Sequence, residues 1–274
     1  MNPYRFAGRT AVVTGAGSGI GEQVARGLAE RGSHLVLLER DAERLDRVSA
    51  SIRGAHPGID VAQVEVDLAD RAATTAAAER IVHDHPRTDL LVNNAGVALA
   101  GRFDEVTLDE FEWVLEVNFH APVRLTHHLL PTMGAGAHLV NVSSLYGLIS
   151  PPGQSAYSAS KFALRGFSQV LRAELADRGI GVTTVHPGGI ATRIAADARV
   201  GARVDREAHA VGLKEFSRLL TYPPERAAAD ILRAVERRKA RLLIATSAKV
   251  PDVLARLFPV GHMTAIARLL DRSG

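Results

Sequence analysis

Residues 10–21 read TAVVTGAGSGIG. The run from Thr10 to Thr14 is short and apolar and breaks at once into glycines before a helical pattern begins, so a buried strand, a tight turn and a helix are expected. In that arrangement Gly15, Gly19 and Gly21 let the backbone turn sharply and approach a pyrophosphate, whose charge meets the free N–H groups at the helix start. A second apolar run, His34 to Leu38, ends in Glu39-Arg40-Asp41. A dinucleotide fold places an acidic residue about 20 positions beyond its glycines to accept hydrogen bonds from the adenosine ribose, and Glu39 stands near that spacing.

The alternation continues along the chain. A helix from about Asp41 to Arg53 precedes a strand, Val61 to Val66, that ends at Asp67-Leu68, where a carboxylate could meet an adenine or cap the next helix. The strand Asp89 to Val92 stops at Asn93-Asn94-Ala95-Gly96, and small residues there leave room for a ring. A helix beginning near Thr107 carries Phe111, Trp113 and Val117 as core and leads to Asn118, which needs hydrogen-bond partners if buried. The strands His138 to Val142 and Val182 to Val185 end in Ser143-Ser144 and in His186-Pro187-Gly188-Gly189-Ile190-Ala191-Thr192, with His186 read as structural.

Residues 193–222 are polar and weakly periodic, and with their flank they read as a mobile segment, about 190–222, that covers a site. A helix from Pro224 to Arg238, a strand from Leu242 to Ala245 and a helical tail, about 249–274, finish the chain. The tail's Val253, Leu254, Leu257, Ile266, Leu269 and Leu270 read as packing or subunit contact. Strands alternating with helices predict an α/β fold: a single doubly wound Rossmann-type domain over 1–274, with a parallel seven-stranded sheet and helices on both faces. Gly15, Asp67, Asn93, Ser144 and Pro187 then line one edge of the sheet and share one crevice.

The reactive groups expected in that crevice lie in residues 143–167, SSLYGLISPPGQSAYSASKFALRGF. From Tyr157 onward Ala, Leu and Phe recur at helical spacing, so Tyr157 and Lys161 sit one turn apart on one face. A phenol titrates near pH 10 in water at about that value, and a cation held close favours the phenolate, so Lys161 is expected to move Tyr157 toward a useful acid/base range. Ser144, at the end of its strand, could hold a carbonyl oxygen beside the phenol.

Bulk properties narrow the partners. The chain has 274 residues, 46% hydrophobic, enough to bury a full core. Its 33 Lys+Arg are interleaved with 30 Asp+Glu for a net charge of +3, a solvated surface and no nucleic-acid footprint. The basic run Arg237, Arg238, Lys239 and Arg241 sits where a helix ends and complements its dipole. The absence of Cys excludes disulfides and thiolate metal sites, and no metal site is expected. No apolar stretch reaches the ~18 residues of a membrane span, and no apolar leader opens the chain, so a soluble cytoplasmic protein is expected.

The pattern resembles the short-chain dehydrogenase/reductase family, in its smaller single-domain subgroup, across roughly residues 8–245. The resemblance rests on Thr14-Gly15-x-x-x-Gly19-Ile20-Gly21, Asn93-Asn94-Ala95-Gly96, Asn118, Ser144 with Tyr157-x-x-x-Lys161, and Pro187-Gly188, all in the family's order and spacing. It implies an NAD(P)-dependent oxidoreductase interconverting a secondary alcohol and a ketone, with Tyr157 as general acid/base, Ser144 orienting the substrate oxygen, Lys161 lowering the tyrosine pKa and binding the nicotinamide ribose, and Asn118 holding a water of the proton relay. The cofactor would also touch Ser18, Glu39, Arg40, Asp67, Leu68, Asn94, Ala95, Gly96, Pro187, Gly188, Ile190 and Thr192, the last two at the nicotinamide carboxamide. Glu39 favours NAD, because a carboxylate accepts from ribose hydroxyls and repels a 2′-phosphate, whereas Arg40 could pair with that phosphate. Ser18 stands where relatives that prefer NADP often carry Lys or Arg, so NAD is favoured over NADP. Family likeness also implies a homodimer or homotetramer.

The substrate end of the crevice is expected to hold Leu145, Tyr146, Leu148, Pro151, Pro152 and Gln154, a mostly apolar set suited to a hydrophobic small molecule, with Tyr146 and Gln154 each able to bind one polar feature. Arg193 or Arg199 could instead meet an acyl carboxylate or a CoA phosphate, which makes a 3-oxoacyl reductase the second reading. A redox sensor that binds the dinucleotide without turnover, or a lyase or epimerase on the same scaffold, is the remaining alternative.

Overall fold

The computed structural model describes residues 2–261 and 263; Ile266, Leu269 and Leu270 of the expected tail lie outside the described residues. Short apolar runs become strands wherever both of their faces can be covered, and the chain forms β1 (Thr10–Thr14), β2 (His34–Glu39), β3 (Val61–Glu65), β4 (Leu90–Asn93), β5 (Leu99–Ala100), β6 (His138–Val142), β7 (Gly181–Pro187), β8 (Arg199–Val200) and β9 (Arg241–Ile244). Seven of them make one parallel sheet in the order β3-β2-β1-β4-β6-β7-β9. The strand order reverses beside β1, which pairs with β2 on one side and β4 on the other.

Helices cover both faces because successive strand residues point to opposite sides. Ala11 and Val13 of β1 pack with α1 (Gly19–Ala29), α2 (Ala42–Ala55) and α8 (Pro224–Glu236), through Val24, Leu28, Leu45, Ile52 and Ile231. Val12 packs on the other face with α3 (Arg71–Asp84), α5 (Ala121–Leu129) and α6 (Ser155–Glu174), through Ala78, Ile81, Leu125, Leu129 and Leu171.

Local departures from the sequence expectations have identifiable causes. The helix begun by α4 (Leu108–Leu115), whose start is fixed by a Thr107–Glu110 capping box, continues into α5 through a π-helical turn at Glu116–His120 that contains Asn118. Asp70, not Asp67, caps α3, accepting from the Ala73 N–H, while Asp67 closes a tight turn onto the Ala69 N–H at 2.9 Å. The stretch 193–222 is more structured than its weak periodicity suggests. It contains β8, which pairs in parallel with β5 in a two-stranded sheet, and α7 (Arg206–Ser217). The chain after β9 forms α9 (Thr246–Leu257). Among the described residues no helix is long and apolar enough to cross a membrane, and no group of His, Cys, Asp or Glu is placed to hold a metal ion.

Candidate active site

The C-terminal ends of β1 and β4 are stitched together. The Thr14 hydroxyl oxygen accepts from the backbone N–H groups of Asn94, at 3.0 Å, and Ala95, at 2.9 Å, while the Asn94 amide donates back to the Thr14 carbonyl at 3.0 Å. The glycine turn is built by close approach: a Cβ on Gly21 would overlap the Gly15 carbonyl, and Gly19, at φ +55°, turns the chain against the Thr192 side chain. Ser18 is the N-cap of α1 but makes no side-chain capping bond, so the first-turn N–H groups keep their capacity for an anion. Glu39 lies against this turn. Its Oε2 accepts from the Gly17 N–H at 3.1 Å and its Oε1 from the N–H groups of Arg40 and Asp41 at 3.0 and 3.3 Å. An uncapped helix start beside a fixed carboxylate fits the pyrophosphate and ribose of a dinucleotide.

The other half of the crevice is built on β6 and α6. Ser144 follows β6, and its hydroxyl accepts from the Tyr146 N–H at 3.1 Å and is near enough to the Tyr157 phenol to act on its pKa. Burial of α6 carries Tyr157 and Lys161 inward, to 9% and 2% exposure. The Lys161 ammonium lies 5.6 Å from the centre of the Tyr157 ring and donates to the Val142 carbonyl at 3.1 Å. Ser143 anchors the same helix from the strand end, donating to the Lys161 carbonyl at 2.9 Å.

The π turn aims Asn118 at the loop after β4. Its Oδ1 accepts from the Val97 N–H at 2.8 Å, and its Nδ2 donates to the Val97 carbonyl at 2.9 Å and the Ser160 hydroxyl at 3.1 Å. A Cβ added to Gly96 would lie 3.2 Å from Lys161 Nζ and 3.3 Å from Asn118 Oδ1, so Gly96, Asn118 and Lys161 converge.

Electrostatics at this centre run against the expectation of a lowered phenol. Burial pushes Tyr157 up to about 12; the Ser144 side chain acts the other way, and neighbouring Tyr146 adds to the rise. Burial likewise pushes Lys161 down to about 8. Loss of solvation is the largest influence on both groups and shifts each toward its neutral form, with Lys161 still an ammonium at neutral pH. Tyr146 stands edge-on to Tyr157, ring centres 6.0 Å apart, and its own phenol is raised by burial.

The remaining expected residues divide by what they touch. Leu68 and Ile190 bury their side chains in the two cores, and the Ile190 N–H donates to the Gly188 carbonyl. Asn93 joins a buried chain, donating to Asn141 at 2.8 Å and Thr126 at 3.2 Å, which fixes β4 to β6 and α5. Leu148 is buried, Leu145 and Pro151 half-buried and Pro152 exposed. Gln154 occupies the N-cap position of α6 without a side-chain capping bond, and its backbone bridges to Gly101. Arg193 pairs with Asp197 at 2.9 Å, and the Arg199 guanidinium stacks 3.7 Å from the centre of Trp113. Arg40 is exposed beside the cleft.

Some of the supporting residues carry no sequence signal of their own. Ser160 is invisible until α6 and the π turn meet. His186, read only as structural, is buried and bonds through Nδ1 to the Ser144 carbonyl at 3.0 Å, which makes Nδ1 the protonated nitrogen of a neutral imidazole. Burial holds His186 down to about 4. It is a positioning residue for the Ser144 turn, and its place at the end of β7, beside β6, is the feature that gives it that reach.

A parallel sheet with a glycine turn at its switch point and a Ser-Tyr-Lys set two strands away defines a Rossmann-type oxidoreductase. The chain belongs to the short-chain dehydrogenase family, whose model matches residues 9–202. It is 39% identical to the oxidoreductase SadH of Mycobacterium tuberculosis, over 96% of this chain and 95% of that one. It is 37% identical to dehydrogenase/reductase SDR family member 7B of Xenopus laevis, over 85% of this chain and 73% of the relative. Among solved structures, a short-chain dehydrogenase/reductase from Burkholderia phymatum in complex with NAD superposes with a TM-score of 0.83 at 28% identity, covering 92% of this chain and 94% of that one. A short-chain dehydrogenase from Sphingobium yanoikuyae in complex with NADPH gives 0.75 at 29% identity, covering 96% and 95%.

Proposed function

We propose that this protein interconverts a hydrophobic secondary alcohol and its ketone with a nicotinamide dinucleotide, NAD in preference to NADP. The observation that carries the reading is the burial of Tyr157 with the Lys161 ammonium 5.6 Å from its ring centre and Ser144 acting on the same phenol, in the crevice that also holds the glycine turn. The relatives crystallised with NAD and with NADPH support the nicotinamide dinucleotide. When bound, the nicotinamide supplies the hydride acceptor or donor.

The chain's own groups supply position and a proton. Ser144 holds the substrate oxygen within reach of the Tyr157 phenol. In oxidation the phenolate removes the alcohol proton, and in reduction the phenol gives it back. Lys161 fixes the helix to β6 and stands ready to contact the nicotinamide ribose. Asn118, held by Val97 and Ser160, keeps the loop after β4 against Lys161, and its Oδ1, which among the described residues accepts only from the Val97 N–H, has a lone pair left for a relay water. NAD is favoured because the Glu39 carboxylate is locked in place by backbone N–H groups, where it accepts from ribose hydroxyls and repels a 2′-phosphate.

A hydrophobic substrate is supported by Leu145 and Leu148 beside Tyr146, with residues about 190–222 as the covering segment. Arg193 and Arg199 are engaged by Asp197 and Trp113, which places the 3-oxoacyl reductase reading second. An absorbance screen of steroid, aliphatic, aromatic and acyl-thioester alcohols and ketones with NAD and NADP tests both. Anionic substrates that win at low salt and lose their advantage at high salt would overturn the apolar reading. Association is expected through α5 and α6, where Phe162 and Val170 remain 37% and 55% exposed, and light scattering showing only monomer at micromolar concentration would contradict it.

A further inference from the structure

The covering segment crosses the glycine turn. At its start Thr192 packs on Gly19, and five residues later Asp197 reaches the N-terminal end of α2. There Arg44, whose Cβ stands against Gly17, lies between two carboxylates: its Nε is 2.9 Å from Asp41 and its Nη1 is 3.9 Å from Asp197. Asp197 also takes Arg193 in a two-pronged pair, at 2.9 and 3.2 Å. Its carboxyl is held below the ordinary range first by the Arg193 hydrogen bond, with the charges of Arg44 and Arg40 adding to the effect. Two acids, Glu39 and Asp41, therefore come from the β2–α2 connection and a third comes from the opposite wall. Nothing in the local sequence around Asp197 announces this.

We propose that Asp197 is a second acidic determinant of cofactor choice, acting from the covering segment by engaging Arg44 on the side of the cleft where a 2′-phosphate would need it. The inference rests on the dinucleotide-binding reading and adds a residue to it. Glu39 repels a 2′-phosphate from the strand end. Asp197 withholds the Arg44 guanidinium, which could offset that repulsion. Both cofactors carry the pyrophosphate, so a general gain in positive charge would help both; only a gain at the ribose end favours the one with the extra phosphate.

The test is direct binding, read by the fluorescence of NADH and NADPH without substrate, on the parent, Asp197→Asn, Arg44→Ala and the double variant. Asp197→Asn should improve NADPH affinity about fivefold more than NADH affinity, the scale of an exposed charge pair. That gain should shrink to less than twofold in the Arg44→Ala background. An unchanged affinity ratio in Asp197→Asn, or an equal gain for both cofactors, overturns the proposal. A ratio change that persists in full without Arg44 also overturns it, since the effect would not pass through that guanidinium. Failure of the parent to bind either dinucleotide would instead sink the functional reading beneath it.

Discussion

The two walls of the crevice work under different physics. On the β6–α6 wall, Tyr157 and Lys161 are buried, and desolvation sets their behaviour: the phenol goes up and the ammonium goes down. At the β2–α2 wall, Glu39, Asp41 and Arg44, with Asp197 reaching them from the covering segment, are partly open to solvent, with Arg44 and Asp197 side chains 36% and 35% exposed. There no single pair is strong, and the sum of charges decides. The proposed proton transfer falls where water is excluded. The proposed discrimination between two soluble cofactors falls where charges act at a distance, at the price of salt sensitivity.

The sharpest way to break that contrast is to remove the proton carrier. Tyr157→Phe should lower turnover by about 100- to 10,000-fold while NADH affinity stays near the parent's, because the ring still packs and only the hydroxyl is gone. Retained turnover would remove the buried wall from the chemistry. Lys161→Ala should damage turnover and dinucleotide affinity together, and loss of turnover alone would leave the ribose contact without support.

The pH dependence asks which term wins on the buried wall. With Tyr157 raised to about 12, the phenolate fraction grows through the alkaline range, so kcat/KM for alcohol oxidation should still be rising at pH 10. A plateau beginning below pH 8 would show that charge overcomes burial when the enzyme works.

Two buried histidines give a stability counterpart. Burial lowers His138 from 6.5 to about 3 and His186 from 6.5 to about 4. Both are neutral in the fold and take up protons on unfolding, so their contribution is full above pH 6.5 and is lost as pH falls through 4 and then 3. Urea midpoints should drop over that window, at about 1.4 kcal/mol for each pH unit and proton. A His138→Asn variant should show a shallower acid slope.

The smallest effect belongs to the open wall. Raising salt from 0.1 to 1 M shortens the screening length from about 10 to about 3 Å and should shrink the NADH-over-NADPH affinity ratio by a few fold. The turnover ratio between the parent and Tyr157→Phe should not move.

Much of this was legible in the residues alone. Apolar runs of strand length, glycines at the first turn and Tyr157 one helical turn before Lys161 determine the strands, the cradle and the shared helix face, because backbone sterics and side-chain periodicity act over a few residues. The structure moved strand ends by a residue or two, replaced Asp67 with Asp70 as the cap of α3, and ordered part of the 193–222 segment through β8 and α7. What only the tertiary structure decided is the environment of each group. Tyr157 rises because α6 is buried against β6, a degree of desolvation that no spacing reveals. Asn118 finds Val97 and Ser160 through a π turn, His186 reaches Ser144 across neighbouring strands, and Asp197 meets Arg44 from a distant part of the chain. Local sequence fixes which groups can react, whereas their protonation and partners depend on long-range packing that removes water and brings separate strands together.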